Sequence, residues 1–161
     1  RFRAAEKIGF KWADGYYYWA NSLYMVKKLE DAVAKFKKAI ELDPKDARFY
    51  HNMGHALSAL KKFDDAMNAY EQAVKLKPDY SSALYAWGTI LAQNKQHEDA
   101  IMKYEAAAIA DPKFSATFYY WAISLYVLKE ESGAKVRMAE ADKLGFIPPG
   151  GWPKWYEPIK R

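Results

Sequence analysis

His51 and His55 stand four residues apart in the run H-N-M-G-H. On a helix this spacing places both imidazoles on one face, where together they could hold a transition metal ion. No glutamate follows the first histidine, so the H-E-x-x-H pattern of zinc metalloproteases is not met. The sequence offers no obvious third ligand beside the pair, and we predict that the protein has no metal site.

Acidic pairs are the other residues whose spacing could serve catalysis. Asp64 and Asp65 form one pair, and Glu130 and Glu131 form another. Each pair falls where a helix is expected to begin, so its carboxylates face water and favour the positive end of the helix dipole over acid–base chemistry. The chain has no cysteine, no glycine-rich phosphate loop and no nucleophile elbow. We therefore predict no catalytic residue, no cofactor and no enzymatic activity.

Apolar and small residues recur along the chain with a period of 34 residues, which also separates Pro44, Pro78 and Pro112. Each period contains two stripes at helical spacing, which predicts a pair of amphipathic helices with a proline after the second one. The aligned first-helix positions include Trp19, Met53, Trp87 and Trp121, then Ala20, Gly54, Gly88 and Ala122, and then Leu23, Leu57, Leu91 and Leu125. Those of the second helix include Ala32, Ala66, Ala100 and Ala134, then Phe36, Tyr70, Tyr104 and Met138.

These columns resemble tetratricopeptide repeats, whose W-x2-L-G-x2-Y, A-x3-F-x2-A and P pattern the chain shares over nearly its whole length. The resemblance implies an all-α fold, a right-handed α-α superhelix. The expected repeats are residues 13–46, 47–80, 81–114 and a degenerate repeat at 115–148. Residues 1–12 are expected to be the second helix of a preceding truncated repeat, because A-E-K-I-G-F at 5–10 mirrors A-D-K-L-G-F at 141–146. A helix that merely caps the array is the alternative.

The 34-residue alignment predicts the structural role of several small or polar residues. Gly54 and Gly88 are expected where the paired helices cross closely, since glycine within a helix is otherwise unfavourable. An entry turn is expected at Asp14 or Gly15, at the start of the first full repeat. In the fourth repeat Gly133 falls inside the second helix, where glycine costs about 1 kcal/mol relative to alanine. This erosion is typical of a terminal repeat, which no full neighbour covers.

The C-terminal segment 149–161 is expected to be a capping tail. Trp152 and Trp155 lie 34 residues after Phe118 and Trp121, so they are expected to cover the apolar surface that a fifth repeat would bury. Prolines in the segment favour a short, broken structure over a full helix. The alternative is a free tail that inserts into a partner.

The resemblance also implies a binding surface, because the first helices of tetratricopeptide arrays line a concave groove that receives proteins or peptides. Tyrosine recurs there and supplies rigid apolar area with a hydroxyl group, which suits recognition. The alternative for Tyr24 and Tyr126 is that they simply pack between helices. The residues predicted to contact the partner are Tyr17, Asn21, Tyr24, Arg48, His51, Asn52, His55, Tyr85, Thr89, Tyr119, Ile123 and Tyr126.

One subclass of the family grips the C-terminal carboxylate of chaperones with lysine, asparagine and arginine side chains. Asn21 and Asn52 match its asparagines, but Tyr17, Ser82 and Ala86 stand where two lysines and the arginine are needed. A carboxylate would lack its charge-assisted partners, so we predict that chaperone tails are not bound.

The chain carries a net charge of +5 and has an isoelectric point near 9.1. Lysines beside aromatic residues could bind nucleic acid, but here they scatter over both helices of each repeat. No apolar run is long enough to span a membrane. We therefore predict a non-catalytic scaffold that binds a protein or peptide, such as a subunit of a larger complex. A nucleic-acid-binding repeat and a substrate-delivering appendage of an enzyme remain the alternatives.

Overall fold

The computed structural model describes the backbone of residues 2–158 and the side chains of residues 12–158. All regular structure in this part of the chain is helical. The helices are α1 (Phe2–Met25), α2 (Leu29–Leu42), α3 (Ala47–Ala59), α4 (Phe63–Leu76), α5 (Ser81–Gln93), α6 (His97–Ala110), α7 (Ser115–Val127) and α8 (Glu131–Lys143). The chain forms two compact units, unit 1 over Arg1–Pro78 and unit 2 over Asp79–Arg161.

Neighbouring helices pack in sequence within each unit. In unit 1, α2 contacts α1 and α3, and α3 contacts α4; in unit 2, α6 contacts α5 and α7, and α7 contacts α8. Small buried alanines permit these close helix contacts. In unit 1, Ala13, Ala39 and Phe49 form a buried cluster to which Tyr17 and Ile40 add part of their surface. The second-helix columns that begin with Ala32 and Phe36 are buried in every repeat and supply the core, whereas Trp19 of the first-helix tryptophan column is 51% exposed.

The first helix of each pair ends in the same C-terminal capping motif. After α3, the Lys61 and Lys62 N–H groups donate to the Ser58 and Leu57 carbonyls, at 2.9 Å each. This is the Schellman pattern, which requires a left-handed residue after the helix, commonly glycine. Here lysine takes that place in all four pairs, as Lys27 (φ 62°), Lys61 (φ 60°), Lys95 (φ 63°) and Lys129 (φ 65°).

The first helix differs from the sequence-based expectation. α1 is continuous from Phe2 to Met25, so no turn occurs at Asp14 or Gly15 and residues 2–12 do not form a separate helix. The residue 34 positions before Pro44 is Phe10, and without a proline there nothing stops the helix. The side chains of residues 1–11, on which the assignment to a preceding repeat depends, lie outside the described part of the structure.

Cation–aromatic pairs join the two helices of three repeats at equivalent positions. The Lys35 Nζ atom lies 3.8 Å from the centroid of a Trp19 ring, and the Lys103 Nζ atom lies 3.9 Å from that of Trp87. In the fourth repeat arginine takes the same role, with Cζ 4.0 Å from a ring centroid of Trp121. Each tryptophan of this column thus has a cation of the second helix over its ring.

Candidate functional site

The predicted partner-binding residues of unit 1 lie on two helices, α1 and α3. Tyr17, Asn21 and Tyr24 belong to α1, and Arg48, His51, Asn52 and His55 belong to α3. Five of these residues, together with Tyr70 of α4, form one continuous hydrogen-bonded chain, which we call the polar chain. Its links are Tyr70 Oη to His55 Nδ1 (3.0 Å), His55 Nε2 to His51 Nε2 (3.1 Å), His51 Nδ1 to Asn52 Oδ1 (3.0 Å), and Asn52 Nδ2 to both Tyr17 Oη (3.0 Å) and Asn21 Oδ1 (2.9 Å).

The direction of every link in the polar chain follows from Asn52. Its Oδ1 atom can only accept, so His51 Nδ1 carries the proton and donates it. A neutral His51 then accepts at Nε2, which requires His55 to donate from its own Nε2 atom and to accept the Tyr70 hydroxyl at Nδ1. Burial lowers the pKa of His55, which favours this neutral form. Tyr70, which closes the chain, was not predicted as a site residue.

Arg48 supplies the positive charge on this face and is already neutralised. Its side chain donates to the Asp46 carboxylate at 3.0 Å and to the Asp14 carboxylate at 3.0 Å, and the hydrogen bond to Asp46 is the main cause of its raised pKa. The guanidinium carbon also lies 5.2 Å from the ring centroid of Tyr17. With two carboxylates beside it, Arg48 offers little attraction to an anionic ligand.

Asn52, one of the two asparagines that match the carboxylate clamp, uses both of its amide hydrogens in internal bonds. Asn52 donates one amide hydrogen to the Tyr17 hydroxyl and the other to Asn21 Oδ1. An amide nitrogen carries two hydrogens, so Asn52 has none left for a ligand carboxylate. That chaperone tails are not bound stays a prediction.

Tyr24 lies at the end of the same face, in the last turn of α1. Its ring is half-buried, and the Lys27 Nζ atom lies 5.7 Å from its centroid. Tyr24 also contributes to the raised pKa of Tyr70, after burial as the main cause. Tyr24 therefore borders the polar chain and is half-buried.

The predicted residues of α5 serve largely as packing. The Tyr85 ring centroid lies 4.9 Å from that of Phe114 and 5.7 Å from that of Tyr120. Burial raises the pKa of Tyr85 to about 12. Thr89 donates its hydroxyl to the Tyr85 carbonyl at 3.0 Å, inside the helix. Neither side chain is presented freely to a partner.

The predicted residues of α7 are Tyr119, Ile123 and Tyr126, and the C-terminal tail lies against two of them. The Trp155 ring stacks on Tyr126 with centroids 4.3 Å apart and planes 7° apart. Trp152 meets Tyr119 edge-on at 6.3 Å, and Ile123 is half-buried on the same helix. The tail thus occupies predicted groove positions of unit 2.

Phe118 and Trp121, which the tail was expected to cover, make their ring contacts elsewhere. Phe118 and Trp121 stack on each other with centroids 6.4 Å apart, and Arg137 lies over Trp121. The two tail tryptophans make their ring contacts with Tyr119 and Tyr126 in α7 instead. Residues 159–161 of the tail lie outside the described part of the structure.

A hydrogen bond that the sequence did not predict anchors the tail. The Tyr156 hydroxyl donates to Asp142 Oδ2 at 3.1 Å, and Asp142 is only 4% exposed. Burial, with help from this carboxylate, raises the pKa of Tyr156 to about 12. The sequence held one signal, since Asp142 stands in the column occupied by Ile40 and Val74 in earlier repeats.

The described side chains include no group of three or more His, Cys, Asp or Glu residues arranged to hold a metal ion. Within the same part of the chain, every helix is too short or too polar to cross a bilayer.

Comparisons with known proteins agree on one family. A family model described as tetratricopeptide repeat matches residues 51–113, and another described as TPR repeat matches residues 20–61. A search of curated proteins gives no match. A crystal structure of MamA is similar with a TM-score of 0.79 at 20% identity, over 82% of this chain and 77% of that one. A structure of MamA 41-end from Desulfovibrio magneticus RS-1 gives 0.76 at 22% identity, over 83% and 75%. At these identities the structural likeness establishes the fold alone.

Proposed function

Because the chain belongs to the tetratricopeptide-repeat family, we propose that it is a non-catalytic scaffold that binds an extended segment of a partner protein through the α1–α3 face of unit 1. Repeat arrays of this kind are protein-interaction modules that offer extended binding surfaces. The observation that carries the proposal is that the polar chain fixes the side chains of this face, beside which Tyr17, Tyr24 and Arg48 remain partly exposed for contact.

The chemistry of this face favours a partner segment that is uncharged or of mixed charge. Arg48 is paired with both Asp14 and Asp46, so its positive charge is not available to attract an anionic segment. Tyrosine rings supply apolar contact area with a polar tip, as in other recognition surfaces. We therefore propose that the segment is recognised through its backbone and through apolar or polar side chains.

Unit 1 is the better candidate surface because two of the equivalent tyrosines of unit 2 already contact the C-terminal tail. Tyr119 and Tyr126 contact the tail tryptophans, and Tyr85 packs inside its own unit. Tyr126 stays 37% exposed, but a partner that reached its stacked face would have to displace Trp155. By contrast, Tyr24 and Arg48 of unit 1 are partly exposed.

Site-specific crosslinking tests the location of the surface. A photoreactive residue in place of Tyr24 should crosslink to the partner, whereas the same residue in place of Lys38, an exposed position of α2, should not. Equal crosslinking from both positions would contradict a site on the α1–α3 face.

A matched pair of alanine variants then tests the contribution of the face. Arg48→Ala removes a cation that forms two salt bridges and Lys38→Ala removes one that forms a single bridge; a surface bridge contributes only about 0–1 kcal/mol to stability. We expect Arg48→Ala to weaken partner binding and Lys38→Ala to leave it unchanged. Parallel melting curves confirm that both variants are folded.

A further inference from the structure

The two histidines of the polar chain converge through the same ring atom. Their Nε2 atoms lie 3.1 Å apart, while the ring centroids are 4.4 Å apart and the planes differ by 75°. The ring centroids are only 1.3 Å further apart than the two nitrogens (4.4 Å against 3.1 Å). Rings aimed end to end would have a larger difference, because each centroid would lie directly behind its nitrogen, so these rings are inclined toward each other. An end-to-end arrangement would suit a linear hydrogen bond, whereas an inclined pair suits two ligands of one ion.

The other ring nitrogen of each histidine is within hydrogen-bond distance of a partner, and that of His51 already donates, as in a metal-binding histidine. His51 Nδ1 donates to Asn52 Oδ1 at 3.0 Å, and His55 Nδ1 lies 3.0 Å from the Tyr70 hydroxyl. Metal-ligating histidines characteristically use their second nitrogen in such a bond, which fixes the ring and its tautomer. Both Nδ1 atoms are thus engaged on the side away from the shared point.

We propose that His51 and His55 bind one divalent transition metal ion through their two Nε2 atoms. An ion about 2.05 Å from each nitrogen would subtend an N–metal–N angle of roughly 98° at this separation. That angle lies between the square-planar and tetrahedral values. Water completes the coordination shell of the ion. It enters from the side of His55, because the His55 ring is only half-buried whereas His51 is 8% exposed.

Binding needs only a shift of one proton within His55. In the polar chain this residue carries its proton on Nε2, which must become free for the ion. The proton passes to Nδ1, which then donates to the Tyr70 oxygen, and the Tyr70 hydroxyl hydrogen turns to another acceptor or to water. His51 already has its proton on Nδ1. Both rings stay neutral and no net proton is released.

The donor set selects the class of ion. Imidazole nitrogens suit Cu²⁺, Ni²⁺ and Zn²⁺, and among these the Irving–Williams order places Cu²⁺ first. Mg²⁺ and Ca²⁺ prefer oxygen ligands and should not bind. The sequence-based prediction of no metal site depended on the missing third protein ligand, but two neutral imidazoles in this geometry already form a chelate. The inference does not depend on the proposed partner.

The test is a calorimetric titration of the untagged chain with Cu²⁺, because an affinity tag of histidines would mask the site. We expect one ion per chain in the native protein. His51→Gln and His55→Gln should each weaken binding by about tenfold or more, the loss typical of a disturbed metal shell. The matched control is His97→Gln, which changes the only other histidine and should leave the affinity unchanged.

Electron paramagnetic resonance of the Cu²⁺-loaded native chain provides a readout that needs no variant. The expected spectrum contains hyperfine coupling to two imidazole nitrogens. Absence of saturable binding, equal losses in all three variants, or a spectrum with no or one coordinated imidazole would each overturn the proposal.

Discussion

Gly54 of α3 lies directly against the ring of Tyr70 in α4. A methyl group added at Gly54 would stand 2.6 Å from Cε1 of Tyr70, and one added at Gly88 would stand 2.8 Å from Cε1 of Tyr104. The sequence columns explain the pairing, because glycine occurs where the second helix carries tyrosine. Alanine takes the same column in Ala20 and Ala122, where the second helix carries Phe36 and Met138. The predicted close crossing of the helices at both glycines is confirmed, and the close neighbour is a tyrosine ring.

We expect Gly54→Ala to destabilise unit 1, although alanine is the better helix former. The buried Tyr70 ring must shift to admit the methyl group, which should lower the free energy of unfolding by about 1–3 kcal/mol. Gly88→Leu should cost more, because it adds a larger group at an equally tight position. Urea unfolding followed by circular dichroism measures both changes.

Gly133→Ala is the matched control, since it makes the same substitution at a helical glycine with room for it. The added methyl group would lie 3.5 Å from Cδ1 of Leu125, an ordinary contact. Because the methyl group fits, the higher helix propensity of alanine should raise the free energy of unfolding by about 1 kcal/mol. A loss at Gly133 equal to that at Gly54 would contradict the close-crossing explanation.

The left-handed lysines predict stabilising substitutions. Lys61 has φ 60°, a conformation that costs a residue with a side chain roughly 1–2 kcal/mol relative to glycine. Lys61→Gly should therefore raise the melting temperature. Lys62→Gly is the control, because Lys62 is exposed like Lys61 but has φ −86°. If the two variants melted alike, the strain at Lys61 would contribute nothing to stability.

The docked tail should stabilise unit 2. Trp155→Ala removes the ring that stacks on Tyr126, so we expect a lower melting temperature, whereas Lys154→Ala changes an exposed neighbour and should have little effect. Deleting residues 150–161 should lower stability further or cause self-association by uncovering aromatic surface. A monomeric truncation that melts like the full chain would show that the tail has no capping role and would favour a tail that binds a partner.

Tyr85 should behave as a core residue. Its ring packs against Phe114 and Tyr120, so Tyr85→Ala should lower the free energy of unfolding by about 3–5 kcal/mol. Tyr85→Phe keeps the ring and should cost far less. The sequence alone suggested that alanine at Tyr17, Tyr85 and Tyr119 would leave helicity nearly unchanged; packing at Tyr85 makes a loss of stability the expected result. A folded Tyr85→Ala protein with native stability would return this tyrosine to the candidate binding surface.

The sequence by itself determined the repeat, the helix pairs and the close crossing at Gly54, because these depend on residues at fixed local spacing. A 34-residue period places the same contacts in each repeat, so one column of small residues opposite one of large residues is enough to predict the packing. The turn expected near Gly15 was wrong for an equally local reason, since no proline interrupts α1.

Only the tertiary structure decided what the polar and aromatic side chains do. His55 could be placed on a helix face from its spacing, but its bond to Tyr70 joins residues on different helices and depends on side-chain rotamers. The covering of Tyr126 by Trp155 likewise depends on the path of a tail that has no periodic pattern. Local spacing specifies which face a residue occupies, whereas its neighbour across that face is set by how the helices and the tail pack together.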